Sequence, residues 1–503
     1  MYLLCKLLYT TAFALLSAAP PYLQLYYHDV LRFSSDQIGF VLAIAPFIQS
    51  LACPLWTYLV DKRPRFHGTV MALTSLVGGV AVMGIMGVGH TLTTTTAAPL
   101  GGQAVISITC ALALFFAFFT LPNVSLVDSA VMKILGPNKI LYGEQRLWGS
   151  VSTGLTILLV GVLIDWTGNL DMMFWVFGAS TLAFICCALA TNVESDTYGD
   201  ESEPLIPGNG EEYYYDTEQT LRPYKTETKD EEDRLPINNY LSTTSQHEHP
   251  LLSKATSGGS MLSSLAQSIR EDADDRLEEG GVDLGLAMSR IASVEDPTAV
   301  LHVVSEDKSM FLSFRVISFL TTTLLFGIVL SMIVNFLFLF MSQDLHTPAS
   351  WIGWTGPLGG ITELICFCFS KQMTEHLGVV WLVVGAHIAT IIRCLSYTLL
   401  PPDSFSTNVC ALALQMLHGV GFGIFWATGV SEMDDLFPPE QRAVAQGILG
   451  ALHAGLGTGL GALIGGYVYE YYGSLWLFRS AAGLAVVSIV IFLLGRRASP
   501  PRK

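Results

Sequence analysis

The sequence predicts an all-α membrane protein, with twelve transmembrane helices arranged as two pseudo-symmetric six-helix bundles. Three observations predict it. Long tracts of the chain are almost free of charge, one acidic segment divides those tracts six and six, and a Glu-Gln-Arg tripeptide recurs at the same point of each half. The chain has 503 residues, 51% of them hydrophobic and 14% charged, and a mean hydropathy of +0.49. A water-soluble chain of this length needs charge over most of its surface; here the apolar surface is expected to face lipid.

A helix crosses the hydrocarbon core with roughly 20 mostly apolar residues. Such tracts lie at about 3–27, 37–60, 67–89, 102–132, 146–165, 172–191, 311–341, 351–371, 377–400, 407–432, 442–469 and 475–495. The first could pass for a secretory signal, but its apolar run is long, Lys6 is its only basic residue, and Pro20-Pro21-Tyr22 continue it without a cleavage site, so it counts as a span. Basic residues fall in alternate short loops: Lys62, Arg63 and Arg65, then Lys133 and Lys139, then Lys371, then the tail Arg496, Arg497, Arg502 and Lys503. The loops between are nearly free of them, Arg32 excepted. The positive-inside rule therefore puts both termini and the long loop in the cytoplasm, as an even number of spans requires.

The expected organisation is a six-helix bundle over 1–191, an acidic and mostly disordered cytoplasmic loop over 192–309, and a second six-helix bundle with a short basic tail over 310–503. The formal net charge of −16 belongs to the loop. Residues 192–308 hold 26 Asp and Glu against 9 Lys and Arg, leaving 16 acids and 17 bases elsewhere. No basic surface for nucleic acid remains. Clusters such as Asp230-Glu231-Glu232-Asp233 cannot bury enough apolar surface to order themselves, apart from a short amphipathic helix around Met261–Leu277. The loop is the place for sorting or regulatory proteins to bind. Its Glu201-Ser202-Glu203-Pro204-Leu205-Ile206 fits an acidic dileucine signal for a vacuolar or lysosomal membrane, against a default of the plasma membrane.

No nucleophile elbow, HExxH, Walker loop or metal cluster appears, so no enzyme, cofactor or metal is expected. The nine cysteines all lie in apolar tracts without zinc spacing and read as small buried residues. The chemistry that does stand out is charge inside the spans. An ionisable group at mid-membrane costs roughly 2.5–3.5 kcal/mol on insertion scales, so it normally faces a cavity and marks a pathway. Asp128 lies in the fourth span, Arg146 opens the fifth, Glu363 lies in the eighth, Arg393 in the ninth and His418 in the tenth. Asp128 and Arg146, close to helix ends, could instead snorkel to the interface. Two further features suit a moving machine. Asp61-Lys62-Arg63-Pro64-Arg65 between spans two and three can form a charge relay that locks one state, or serve only as positive-inside charge. The eleventh span carries Gly447, Gly450, Gly455, Gly457, Gly459, Gly461, Gly465 and Gly466, which allow close helix packing and sliding.

At these residues the chain resembles the lactose-permease-like (oligosaccharide and nucleoside proton symporter) branch of the major facilitator superfamily, and looks closest to its eukaryotic offshoot. The resemblance covers the membrane part and none of the acidic loop. It is carried by Pro20–Tyr27, Asp61-Lys62, Tyr142-Gly143-Glu144-Gln145-Arg146-Leu147-Trp148-Gly149, Thr362-Glu363-Leu364 and Met416-Leu417-His418. It implies the major facilitator fold, and a sugar-binding acid eighteen residues before the span-five arginine, at Asp128 before Arg146. Glu363, Arg393 and His418 match the remaining charged positions of that pattern. Two positions depart from it: the proton-carrying acid one turn after the span-ten histidine falls on Gly421, and the sugar-stacking aromatic falls on Thr153.

The functional expectation is a secondary active transporter that moves a small polar organic solute by alternating access, coupled to protons. A uniporter or exporter of a small metabolite, and a non-transporting sensor built on the same scaffold, are the rival readings. Asp128, Arg146, Glu363, Arg393 and His418 are the expected substrate and proton site; Asp61, Lys62, Arg63 and Arg65 are the expected gating loop.

Overall fold

The computed structural model describes residues 2–94, 102–193, 313–437 and 442–498, all within one compact unit. The acidic loop from 194 on, with its dileucine sequence and the proposed helix at Met261–Leu277, lies outside the described residues. So do Glu440-Gln441 and the tail residues Arg502 and Lys503.

Among the described residues, eleven helices are long and apolar enough to cross a membrane. They are α1 (Leu3–Asp29), α2 (Ser35–Lys62), α3 (Pro64–Leu92), α4 (Gly102–Leu135), α5 (Tyr142–Thr167), α6 (Met172–Leu189), α7 (Phe314–Gln343), α9 (Ser370–Tyr397), α10 (Phe405–Leu436), α11 (Val444–Tyr472) and α12 (Ser474–Arg497). The twelfth expected span, α8, is present as two pieces, Ala349–Gly353 and Thr355–Cys368, separated at Trp354 and so each short of a full crossing. Other breaks have plain causes. Pro20-Pro21 leave no backbone N–H to continue α1, which passes through a single 3-10 turn before Leu23. In α9, Gly378 takes a positive φ of 75° and separates a first short stretch from the main helix. A π-helical stretch, Ala451–Gly457, interrupts α11. Ser34 and Gln37 form a reciprocal capping box that starts α2.

The packing repeats with a shift of six helices. In the first half α1 packs on α5 and α6, α2 on α4, and α3 on α4 and α6. In the second, α7 packs on α11 and α12, α8 on α10, and α9 on α10 and α12. The contacts between halves obey the same relation, since α2 against α11 is the counterpart of α8 against α5. This is the geometry of a pseudo-two-fold axis between two six-helix bundles. Large apolar side chains such as Leu51, Trp166, Trp175, Trp381 and Leu399 are left exposed on the outside, where lipid would cover them. The most buried span is α7, at 78% of its apolar window against 28% for α4, which places it among other helices rather than in lipid.

Glycines decide how closely the helices approach. On α11, one face meets α2: a Cβ at Gly466 would strike the Ser35 carbonyl and the Cα of Gly39, one at Gly459 the Phe47 ring, and one at Gly455 the Ser50 hydroxyl. The other face meets α7, with Gly457 against the Gly327 Cα, Gly461 against Ser331 and Gly465 against Phe336. The glycines of the eleventh span thus serve close packing on two sides, one of them between the halves. The counterpart seam has Gly154 of α5 against Pro357 of α8, and Gly161 against Gly353.

Polar contacts close the same side. Gln343 of α7 donates to Asp29 at 2.9 Å, the Ser35 N–H to Glu470 at 2.7 Å, and Ser350 to Asp165 at 2.6 Å. All three join the halves at the far face, opposite the chain termini. At the termini face, ion pairs stay within a half: Lys6–Glu144 and Lys133–Asp61 in the first, Arg315–Glu432 and Arg496–Glu432 in the second. Among the described residues, the polar contacts join the bundles at the far face and the ion pairs at the near face stay within each bundle.

Candidate functional site

Two polar centres face each other inside the bundle. In the first half, Asp128 of α4 is 1% exposed. Both its oxygens accept from one Arg146 nitrogen, at 2.6 and 2.7 Å, and Oδ1 also accepts from the Tyr9 hydroxyl at 2.6 Å. Arg146 donates in addition to the Tyr142 hydroxyl one turn earlier, at 3.0 Å. A buried carboxylate taking three charge-assisted or phenolic hydrogen bonds is well compensated, and the snorkelling alternative for this pair is set aside. The sequence spacing of eighteen residues brings acid and base together because α4 turns back after Leu135 and α5 re-enters at Tyr142.

In the second half, Arg393 of α9 is 0% exposed. Its Nη2 donates to Gln415 Oε1 at 2.6 Å, its Nη1 lies 3.2 Å from His418 Nδ1, and Nε reaches the Tyr397 hydroxyl at 3.4 Å. The guanidinium also lies over the Tyr397 ring, 5.5 Å from its centroid. Every one of these partners is uncharged or only weakly basic. Among the described residues no carboxylate pairs with Arg393. The position one turn after His418 is Gly421, packed against Thr390, so no acid stands there.

Glu363 of α8 lies between the two centres. From the Gly154–Pro357 crossing, Arg146 is eight residues toward the termini face along α5 and Glu363 six residues the same way along antiparallel α8. Those distances are about 12 and about 9 Å at 1.5 Å per residue, so both groups sit at one depth. The Arg146 charge acts on the Glu363 carboxylate across this gap. Among the described residues, the Glu363 side chain makes no hydrogen bond or ion pair, although it is half-buried. On α8, Gly359 faces Gln415 and His418, and Thr362 faces Gly419 of α10, so Glu363 is one turn from the Arg393 centre.

The loop residues behave differently. Asp61 pairs with Lys133 at the end of α4 at 2.6 Å and takes a long hydrogen bond from Ser129, while Lys62 sits over the Tyr58 ring. Arg63 and Arg65 are exposed. Tyr9, Tyr142, Tyr397 and Gln415 were not predicted as site residues. The one available signal was the i, i+4 spacing of Tyr142–Arg146 and Arg393–Tyr397, which places each tyrosine over its arginine. Glu432 was also missed. It is 2% exposed at the near end of α10, with Arg315 of α7 at 2.8 Å and Arg496 of α12 on its other oxygen.

Comparison with known proteins agrees with this architecture. The model of the MFS_1 like family matches residues 2–480, and the chain belongs to that family of the major facilitator superfamily. Its helices are those of a multi-pass membrane protein. A Xenopus laevis major facilitator superfamily domain-containing protein 6-like protein A is 27% identical over 190 residues, 38% of this chain and 30% of that one. The maltose permease of Geobacillus stearothermophilus is 26% identical over 188 residues, 37% of this chain and 43% of the permease. The matches therefore span less than half the length of these relatives. Among solved structures, the nucleoside transporter NupG superposes with a TM-score of 0.65 at 16% identity, covering 99% of this chain and 100% of that one. A bacterial homologue of the iron transporter ferroportin in an inward-facing state superposes with a TM-score of 0.56 at 12% identity, covering 98% and 97%. At such identities the likeness concerns the fold.

Proposed function

We propose that the protein is a proton-coupled symporter for a small polar organic solute, of the kind transported by the oligosaccharide and nucleoside proton symporter branch, with the plasma membrane as its site. The observation that carries this is the unequal treatment of two carboxylates by one guanidinium. Asp128 is held by Arg146 and Tyr9, whereas Glu363 faces the same arginine and makes no bond of its own among the described residues. A carboxylate in a desolvated cavity favours its neutral form, and a guanidinium drawn close favours the ionised one. A modest shift of α5 against α8 exchanges these environments and so loads or releases a proton at Glu363. Asp128, Arg146 and the two tyrosines then offer the hydroxyl-binding groups, and His418 with Arg393 the opposite wall. The kinship with a maltose permease supports a polar, hydroxyl-bearing solute.

The test is uptake by sealed vesicles holding the purified protein, with and without an inward proton gradient. Wild type should accumulate solute only with the gradient. Glu363→Gln should lose accumulation while retaining solute exchange, because exchange needs no net proton movement. Full accumulation by that variant removes Glu363 from the coupling role.

A further inference from the structure

We infer that the solute is a small organic anion whose carboxylate pairs with Arg393, and that each anion crosses with one proton so that transport is electroneutral. This inference rests on the transport reading above and names the substrate class for the same site.

The charges in the core lead to it. Asp128 and Arg146 cancel one another at 2.6 Å. Among the described residues that leaves two charged groups in the core, Glu363 and Arg393, and they are not paired with each other. An arginine does not deprotonate in proteins. A fully buried cation without an anion is a costly arrangement that packing alone does not favour. Arg393 is nevertheless 0% exposed and, among the described residues, held only by Gln415, His418 and Tyr397. Gln415 and His418 occupy its two terminal nitrogens, which are the two positions that a bidentate carboxylate takes. His418 is half-buried and neutral partners yield readily, so a carboxylate arriving on the His418 side can displace them one for two. The titratable and charged groups that neighbouring helices direct at this region are Arg146 from α5, Glu363 from α8 and His418 from α10. None of them supplies a permanent counter-charge to Arg393.

The same count fixes the coupling. With Glu363 ionised and no solute, the core is neutral. With Glu363 protonated it carries one positive charge, which one anion cancels. The empty state and the doubly loaded state are therefore neutral, whereas a core with only proton or only anion is charged. Closing the bundles removes water from the cavity, and desolvation penalises charged cores most. The two neutral states are the ones that cross. Glu363 takes its proton from water on the side of entry and returns it to water on the other side.

Two measurements test this. The first needs no ligand: Arg393→Met removes a buried cation that no ion pair holds, and Glu363 then takes a proton so that the core stays neutral, so the melting temperature of the purified, solute-free protein should rise by about 2–4 °C. A fall of that size would mean that Arg393 is a structural strut, and the inference fails. The second is vesicle uptake of matched pairs that differ in one carboxylate, glucuronate against glucose and orotate against uracil. The acid member should be preferred at least tenfold in one pair, and Arg393→Gln should abolish that preference. A potential imposed with potassium and valinomycin at fixed pH should leave the rate unchanged. Gradient-driven accumulation of a neutral member alone, or a rate that follows the potential, overturns the anion inference and leaves the symporter reading standing. A raised melting temperature in Arg393→Met with no transport of any probe supports the anion site and counts against the symporter reading.

Discussion

The two halves share a packing scheme and place their charge compensation in opposite positions. The first half neutralises its arginine at the centre, where Asp128 is buried beside Arg146, and its ion pairs near the termini, Lys6–Glu144 and Lys133–Asp61, are exposed. The second half leaves Arg393 at the centre among neutral partners and buries its ion cluster near the termini, where Glu432 takes two arginines. Equal architecture therefore conceals unequal electrostatics. A site made of two identical half-sites would bind nothing polar in one orientation. Here one wall is charge-closed and the other charge-open, which orients a solute and leaves a role for a proton.

The largest effect that would break this comparison comes from the closed centre. Asp128→Ala strands Arg146 beside Tyr9 and Tyr142, and removing one member of a buried pair costs about 3–5 kcal/mol. The expected outcome is a marked fall in melting temperature, partly restored in the double variant Asp128→Ala/Arg146→Met, since the cycle then removes both charges. No loss in the single variant would show that the two centres are alike after all. The contrast with Arg393→Met, where stability is expected to rise, is the direct measure of the asymmetry.

Next in size is the buried cluster of the second half. Glu432→Gln keeps the shape and removes the charge between Arg315 and Arg496, which are 26% and 20% exposed and so partly hydrated. The cost should be about 1–3 kcal/mol, below that of Asp128→Ala, and chloride or sulfate should recover part of it by binding the freed arginines. Gly466→Val acts elsewhere. Its Cβ would meet backbone of Ser35 and Gly39, so the far seam cannot close as it does here. Hydrogen exchange in 35–45 and 462–472 should then rise, and transport should fall about tenfold, with a smaller change in overall stability. Unchanged exchange would show that the seam has slack.

Much of the fold was legible in the sequence, because spans announce themselves by length and apolarity. The exception is instructive. The eighth span is interrupted at Trp354 and carries Gly353 and Gly356 where it crosses α5, the first against Leu158 and the second against Ile157. Charged residues inside apolar tracts were visible for the same reason, since water-free surroundings make each one conspicuous. What the sequence left out is partnership. Nothing in the spacing of Arg393 says that its acceptors are Gln415 and His418, because these come from another helix. Glu432 escaped notice because it borders Asp434 and Asp435 at the end of an apolar run, and reads as part of a loop. Tertiary packing turned it into the most buried acid of the near face among the described residues.

The smallest expected effect concerns the loop between α2 and α3. Asp61 and Lys133 are 39% and 29% exposed, and their bond joins the ends of α2 and α4 inside one half. An exposed pair of this kind contributes about 0.2–1 kcal/mol, falling with salt. A device that locks one state must gain or lose contacts when the halves move, and this pair touches one half only. Lys133→Met should therefore change the melting temperature by a degree or two at most and leave vesicle uptake within about twofold of wild type. If uptake instead falls tenfold while stability holds, the pair belongs to the transport cycle through a second state in which Asp61 meets the other half. The near face would then be a gate of the first bundle, with the Glu432 cluster as its fixed counterpart.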